Sequence, residues 1–241
     1  MSGAGAPDFF YREAQRLGYV ARSAFKLLQI QKQYKLITPG SSVLDLGCAP
    51  GAWLQVACQS LGNLKNGGVV VGIDLKKVKV PQLYCDARVK TVCADVLKLP
   101  RTQLREFSPQ KGFSVILSDM CPPVSGIRDK DSAISVELGM RALDIAVGGA
   151  ALAHACNSIP GEDKLELSVV SSSNDNKDNG GVLQKGGHLV IKLLESEDMR
   201  EFSQICKPLF RKSSLLRPKA TRSSSREIYL ICQGLQSQAK T

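Results

Sequence analysis

The strongest constraint on the fold is the alternation of short apolar runs with helical stretches after residue 40. The break at Pro39-Gly40 is followed by six apolar runs of strand length, separated by longer segments with helical character. This alternation predicts an α/β fold in which a mostly parallel sheet carries helices on both faces and binds ligands outside the carboxyl ends of its strands. The predicted strands are residues 42–46, 69–74, 91–94, 113–118, 189–193 and 227–232, and the predicted helices are 52–61, 99–106, 134–155 and 198–210.

The length of 241 residues predicts a single domain over residues 1–241, because one hydrophobic core can serve a chain of this size. Residues 9–40 read as an amphipathic, basic helical preface to the sheet. Residues 157–181 lack periodicity and are rich in Ser, Asn, Asp and Gly, which predicts a flexible surface insertion.

Charge and cysteine usage narrow the class of protein. The chain carries 32 Lys and Arg against 22 Asp and Glu, a net charge of +10 that favours a polyanionic partner such as nucleic acid or anionic lipid. Its eight cysteines form no C-x-x-C pair and it has only two histidines, so no metal site is predicted and the cysteines are expected to be buried, reduced thiols. With no apolar stretch of membrane-spanning length, we expect a soluble, intracellular monomer, its compartment open between cytoplasm, nucleus and an organelle such as the mitochondrion.

The sharpest local motif is the segment 43–53, Val-Leu-Asp-Leu-Gly-Cys-Ala-Pro-Gly-Ala-Trp, where a strand enters a glycine-bracketed turn and then a helix. It contains neither a P-loop nor a G-x-G-x-x-G dinucleotide motif. A carboxylate at Asp45 suits a cationic amino group, Asp74 at the end of the next strand suits ribose hydroxyls, and Asp95 after the third suits an adenine amino group. The set predicts S-adenosylmethionine as the cofactor.

Three charged residues are predicted to meet beside this cofactor. Asp119 follows the fourth strand. Lys192 lies in an apolar strand, where burying its charge costs free energy unless the side chain reaches the open end of the sheet. Glu227 would join them if the last strand returns antiparallel. Methylation of an exocyclic amine is disfavoured because Met120 and Cys121 separate the acid from Pro-Pro, and Cys121 reads better as a structural thiol than as a nucleophile.

In combination, these motifs resemble the FtsJ/RlmE-type ribosomal RNA 2'-O-methyltransferases. The resemblance implies a Rossmann-like class I methyltransferase with a seven-stranded sheet and an antiparallel last strand. It further implies a catalytic tetrad of Lys26, Asp119, Lys192 and Glu227. Two departures are Pro123, where the family usually has Asn, and the longer segment 157–181. The matching stretches are 22–27, 45–53, 118–120, 190–192 and 224–229, and the implied cofactor residues are Asp45, Gly47, Pro50, Gly51, Trp53, Asp74, Asp95 and Asp119.

The implied reaction is attack of a ribose 2'-oxygen on the sulfonium methyl group, which leaves S-adenosylhomocysteine. A hydroxyl is a poor nucleophile, so a base must lie within about 3 Å of it, and Lys192 is the predicted base. Lys192 must be neutral to act: burial and the charges of Lys26 and the sulfonium favour this state, whereas Asp119 and Glu227 oppose it. Whether Lys192 takes the proton or only orients the hydroxyl stays open.

Basic residues flank the predicted site on both sides, which indicates contacts to the RNA backbone. Residues 9–40 hold six basic side chains, and residues 202–226 hold seven and no acid. Ribosomal RNA is the preferred substrate. The alternatives are a tRNA 2'-O-methyltransferase, because 11–14 and 21–26 also resemble that branch, and a non-catalytic RNA-binding ribosome assembly factor.

Overall fold

A computed structural model describes residues 8–109, 111–121, 125–157 and 180–237, and in them the strands form one seven-stranded sheet of order β3-β2-β1-β4-β5-β7-β6. The first five strands of this order run parallel, and β7 runs antiparallel to both of its neighbours. The predicted α/β class and the reversed last strand are therefore confirmed. The strands are β1 (Ser42–Leu46), β2 (Val69–Asp74), β3 (Val89–Cys93), β4 (Phe113–Ser118), β5 (Leu183–Leu194), β6 (Phe210–Leu216) and β7 (Glu227–Leu235).

Seven α-helices surround the sheet in the described parts of the chain. The basic preface holds two of them, separated by Gly18, which ends the first helix with a positive φ of 77°. Among the described residues no helix is both long and apolar enough to cross a membrane. The helices are α1 (Phe9–Leu17), α2 (Ala24–Tyr34), α3 (Ala52–Ser60), α4 (Arg101–Phe107), α5 (Arg128–Val147), α6 (Gly149–Asn157) and α7 (Glu197–Cys206).

Two helix predictions were wrong in their extent. The segment predicted as one helix over 134–155 is two helices, because Gly148 ends α5 with a backbone conformation, φ 88° and ψ 156°, that no helix continues. The helix predicted over 198–210 ends at Cys206, and 210–216 forms the strand β6. This strand lies at the sheet edge, where exposed polar side chains are tolerated, so it lacks the apolar pattern of a central strand.

The sheet is covered on both faces, and alternate residues of each strand face opposite cores. Val43 and Val115 pack with α2 and α3 on the first face, whereas Leu44 and Ile116 pack with helices α4 to α7 on the second. Central strands buried on both faces explain the continuous apolar runs of the sequence.

The expectation that every cysteine is buried was wrong for part of the set. All eight thiols are free, but Cys93 and Cys121 are exposed and Cys85 and Cys156 are half-buried. Cys93 ends β3, which lies at the other edge of the sheet, where solvent reaches the strand. The buried thiols are Cys48, Cys58, Cys206 and Cys232.

Two sequence features fall outside the described residues. They are Pro123 and most of the predicted insertion 157–181, of which Asn157 and Gly180 to Gly181 are described. The predictions made for them stay predictions.

Candidate active site

The carboxyl ends of β1, β2 and β4 meet at one edge of the sheet, as parallel strands require. Asp45 of β1 lies in register with Gly72 of β2 and Leu117 of β4. Because side chains alternate along a strand, Asp74, two positions after Gly72 on β2, shares the face of Asp45. Asp119 directly follows β4, two positions after Leu117. Three carboxylates thus lie at the carboxyl ends of three neighbouring strands.

The turn after β1 depends on glycine at two positions. Gly47 has φ 79°, and a Cβ there would lie 2.9 Å from the backbone nitrogen of Met120. Gly51 has φ 109°, and a Cβ there would lie 2.9 Å from the ring of Pro81. Gly47 therefore lets the turn lie close against Met120, next to Asp119, and Gly51 lets it lie close against Pro81.

Asp45 is the most unusual side chain of this edge. It is fully buried, and neither of its carboxylate oxygens has a hydrogen-bond partner. Burial raises the pKa of Asp45 well above its usual value of 3.8, and the nearby Asp119 and Asp74 raise it further. Such a group gains from a cationic donor, so an orphaned carboxylate here fits the amino group of the predicted cofactor.

Asp74 and Asp95, which the sequence assigns to the ribose and adenine, already make local contacts. The carboxylate of Asp74 accepts hydrogen bonds from the backbone nitrogens of Ala49 and Lys76, both at 2.9 Å. That of Asp95 accepts one from Leu97 at 3.0 Å. A carboxylate oxygen accepts more than one hydrogen bond, so these contacts shape the turns and leave acceptor capacity. The cofactor contacts of both residues stay predictions.

Trp53 joins two helices. The side chain is buried, and its indole nitrogen donates a hydrogen bond to the backbone oxygen of Ser23, at 3.0 Å. The ring lies 5.7 Å from that of Tyr229, centroid to centroid. Ser23 immediately precedes α2, so Trp53 of α3 helps to position the helix that carries Lys26. Its predicted contact with the cofactor stays a prediction.

The structure brings together the four residues of the predicted tetrad. The Nζ of Lys26 lies 2.5 Å from Oε2 of Glu227, and the Nζ of Lys192 lies 3.9 Å from Oε1 of the same carboxylate. Lys192 also lies 3.1 Å from Oδ1 of Asp119 and donates a hydrogen bond to its backbone oxygen at 2.6 Å. Positive and negative groups therefore alternate, from Lys26 through Glu227 and Lys192 to Asp119.

The charges of the neighbouring residues oppose the effect of burial on the pKa values of the tetrad. Burial disfavours the charged form of Lys192, but Asp119, Cys121 and Glu227 outweigh it and raise the pKa of the lysine. Burial disfavours the charged form of Glu227 too, yet the charges of Lys26 and Lys192 lower its pKa overall. Each of these pKa shifts favours the charged form of its group. The balance between burial and neighbouring charges, which the sequence left open, therefore favours protonated Lys192 in the cofactor-free protein.

Tyr229 was not predicted as a site residue. Its hydroxyl donates a hydrogen bond to Oδ1 of Asp119 at 2.8 Å, and its ring is fully buried. Tyr229 lies opposite Lys192 in the pairing of β5 with β7. A signal for it was present, because Tyr229 lies two positions after Glu227 and therefore on the same face of β7.

The fold and the site together define a Rossmann-like methyltransferase: a seven-stranded sheet with one reversed strand near its edge, and acidic strand ends around a glycine turn. A family model described as FtsJ-like methyltransferase matches residues 19–235. The chain therefore belongs to the FtsJ-like methyltransferase family.

Similar proteins span nearly the whole chain. A protein named ribosomal RNA large subunit methyltransferase E from Desulfosudis oleivorans is 32% identical and covers 95% of this chain and 91% of its own length. One of the same name from Desulfatibacillum aliphaticivorans is 34% identical and covers 93% of this chain and 88% of its own. A Plasmodium falciparum crystal structure described as a ribosomal RNA methyltransferase has a TM-score of 0.65 at 21% identity, covers 91% of this chain and 100% of its own, and supports the fold.

Proposed function

We propose that this protein methylates the ribose 2'-oxygen of RNA with S-adenosylmethionine, and that ribosomal RNA is its substrate. The observation that carries the proposal is the alternating charge chain from Lys26 to Asp119, which lies beside the acidic edge of the sheet. The names of the relatives from Desulfosudis oleivorans and Desulfatibacillum aliphaticivorans support ribosomal RNA as the substrate class.

Several residues fit the cofactor. The buried carboxylate of Asp45 would hold the amino group, Asp74 the ribose hydroxyls and Asp95 the adenine amino group, while the backbone at Gly47 and Gly51 allows a close approach. When bound, S-adenosylmethionine supplies an electrophilic methyl group on a sulfonium.

Lys192 is the proposed acceptor of the 2'-hydroxyl proton. Its raised pKa means that only a minor fraction of the protein holds Lys192 as the free amine at neutral pH. The neighbouring acids therefore lower the fraction of Lys192 that can act as a base, and they also hold its side chain in place. Lys26, held by Glu227, would stabilise negative charge that develops on the attacking oxygen.

The proposal is tested by methyl transfer from labelled S-adenosylmethionine to ribosomal subunits taken from cells that lack the protein. Lys192→Ala should lower kcat by about a hundredfold or more, the usual contribution of a general base, without weakening cofactor binding. Lys185→Ala is the matched control, because Lys185 is an exposed lysine of the same strand. Full activity of Lys192→Ala, or methyl groups on bases or tRNA alone, would contradict the proposal.

The rate should also rise with pH. Since Lys192 must lose a proton whose pKa is raised, kcat should increase with pH through the neutral and mildly alkaline range, with a logarithmic slope near one. A pH–rate profile measured at saturating cofactor and RNA checks this. A flat profile would instead indicate that Lys192 only orients the hydroxyl.

A further inference from the structure

A cavity of about 310 Å³ is lined by Lys26 and Glu227 but not by the other two residues of the tetrad. It opens between the start of α2 and the loop before β7, and its walls include Arg22, Ser23 and Arg222. Two guanidinium groups that the proposed chemistry does not use therefore lie in the same cavity as a catalytic lysine.

Arg22 is a fixed wall of this cavity. One of its terminal nitrogens donates a hydrogen bond to the backbone oxygen of Ala220 at 2.5 Å, and the guanidinium lies 5.8 Å from the ring centroid of Phe10. The Arg22 side chain is only 16% exposed, whereas that of Arg222 is 67% exposed. The cavity thus has one largely buried cationic group and one that is mostly exposed.

Asp8 lies between these two arginines. Its Oδ2 forms an ion pair with Arg22 and lies 3.6 Å from Nε of Arg222. Its Oδ1 accepts the backbone N–H of Tyr11 at 2.9 Å, which caps α1. A single carboxylate therefore faces two guanidinium groups and leaves a net positive charge, and 38% of the Asp8 side chain is exposed to solvent.

The two arginines need an anion between them. Burial lowers the pKa of Arg22, and the charge of Arg222 lowers it further. A phosphate fits better than one carboxylate oxygen, since it offers several oxygens and guanidinium groups bind it in a bidentate manner.

We propose that Arg22 and Arg222 bind the RNA backbone phosphate adjacent to the target ribose, and that Asp8 occupies this phosphate site until RNA displaces it. The inference rests on the proposed function, which makes RNA the ligand. The cavity joins the arginines to Lys26 and Glu227, so a chain whose ribose lies at the tetrad carries a neighbouring phosphate into it. Asp8 then lowers the affinity for RNA and favours segments that place a phosphate there.

Binding of a short fluorescein-labelled single-stranded RNA, measured by anisotropy without cofactor, tests this. Asp8→Asn keeps the helix cap, because Asn caps as well as Asp, but removes the competing charge. It should tighten binding about two- to fivefold, the range of a partly exposed ion pair, and Arg222→Gln should weaken binding. Glu106→Gln is the control, because Glu106 is an exposed acid of α4 on the other face of the sheet.

A double-mutant cycle separates displacement from net charge. The gain from Asp8→Asn should shrink in the Arg222→Gln protein and vanish in the Arg22→Gln protein. If Arg22→Gln fails to fold, the Arg222→Gln background alone carries the test. An equal gain in every background, or an equal gain from Glu106→Gln, would overturn the inference.

Two results distinguish a failure of the phosphate site from a failure of the proposed function. Methyl transfer by Asp8→Asn with an unchanged KM for RNA would leave the function standing and overturn the phosphate site. Tighter RNA binding that depends on Arg222, in a protein without methyl transfer, would support the phosphate site and contradict the function.

Discussion

Asp45 shows how one residue sets stability against binding. Its carboxylate is fully buried without a hydrogen-bond partner, and its pKa is raised chiefly by burial. A raised folded-state pKa means that, as pH rises above the usual 3.8, the unfolded chain loses this proton while the folded chain keeps it. Stability therefore falls with increasing pH until the folded-state pKa is passed.

Asp45→Asn should stabilise the cofactor-free protein and weaken cofactor binding. The gain in free energy of unfolding should grow with pH above 3.8, because Asn has no proton to lose. Affinity for S-adenosylmethionine should fall about ten- to a hundredfold, the value of a hydrogen bond to a charged group. Urea unfolding at several pH values and calorimetry measure these effects. Asp129→Asn, an exposed acid of α5, should show neither, and equal stability profiles for Asp45→Asn and the wild type would contradict the account.

Tyr229 acts through Asp119 as a positioning residue. Tyr229→Phe removes the hydrogen bond donated to Oδ1 of Asp119, so more of the carboxylate charge acts on Lys192. The pKa of Lys192 should therefore rise further. The pH–rate profile should move to higher pH, with a stability loss of about 1 kcal/mol. Tyr34→Phe is the control, because it removes a hydroxyl contact to Ser214 away from the site. A uniform loss of rate without a shift would indicate a purely structural role.

At the scale of elements, the site depends on how helices meet the sheet. Lys26 comes from α2, and its partner Glu227 begins β7, 201 residues later. The indole of Trp53 in α3 donates a hydrogen bond to Ser23 and so joins α3 to the start of α2. The packing of α2 against α3 therefore determines where Lys26 points.

Trp53→Phe should loosen this connection. Loss of the hydrogen bond to Ser23 should cost about 1 kcal/mol, with more for the space left by the smaller ring. The pair of Lys26 with Glu227 should become less ordered, so kcat should fall several-fold beyond any fraction unfolded. Circular dichroism in urea and single-turnover methyl transfer measure both. Ser60→Ala removes a hydrogen bond within α3 and should leave kcat unchanged. Wild-type kcat in Trp53→Phe would show that the contact does not position Lys26.

At the scale of the whole molecule, the effect of the net charge of +10 depends on where the charged residues lie. The preface contributes Arg22 and Lys26 to one side of the cavity, and the loop before β7 contributes Arg222. Of the acids at the carboxyl ends of the strands, Asp45 is fully buried, whereas Asp74 and Asp95 are half-buried. The molecule thus combines a cationic cavity with a neighbouring group of acids at the strand ends.

Affinity for RNA should fall steeply with salt. If three or more phosphates are neutralised, a single strand should lose about tenfold or more in affinity between roughly 50 and 200 mM salt, because counterions are released on binding. A plot of log affinity against log salt gives the number of contacts. Arg222→Gln should reduce its slope, whereas Lys111→Gln, at a turn before β4, should not. Affinity independent of salt would contradict an electrostatic grip.

The sequence by itself determined which strand ends carry the functional residues: a glycine turn follows β1, and acids lie where β2, β3 and β4 end. This grouping could be predicted because the carboxyl ends of parallel strands lie on the same side of the sheet whatever the details of packing. The outermost strand β6 could not be predicted, because an exposed strand at the sheet edge lacks a strong apolar pattern. The residue pattern brought Asp119, Lys192 and Glu227 together and the resemblance added Lys26, but neither gave the contacts between them.

Only the tertiary structure decided how those residues are paired and charged. The contact of Lys26 with Glu227, the donor from Tyr229 and the place of Asp8 between Arg22 and Arg222 join segments far apart in the chain. The raised pKa of Lys192 depends on distances to two acids and on the depth of burial, which oppose each other. Since such opposing effects vary with ångström-scale geometry, residue type alone cannot give their balance.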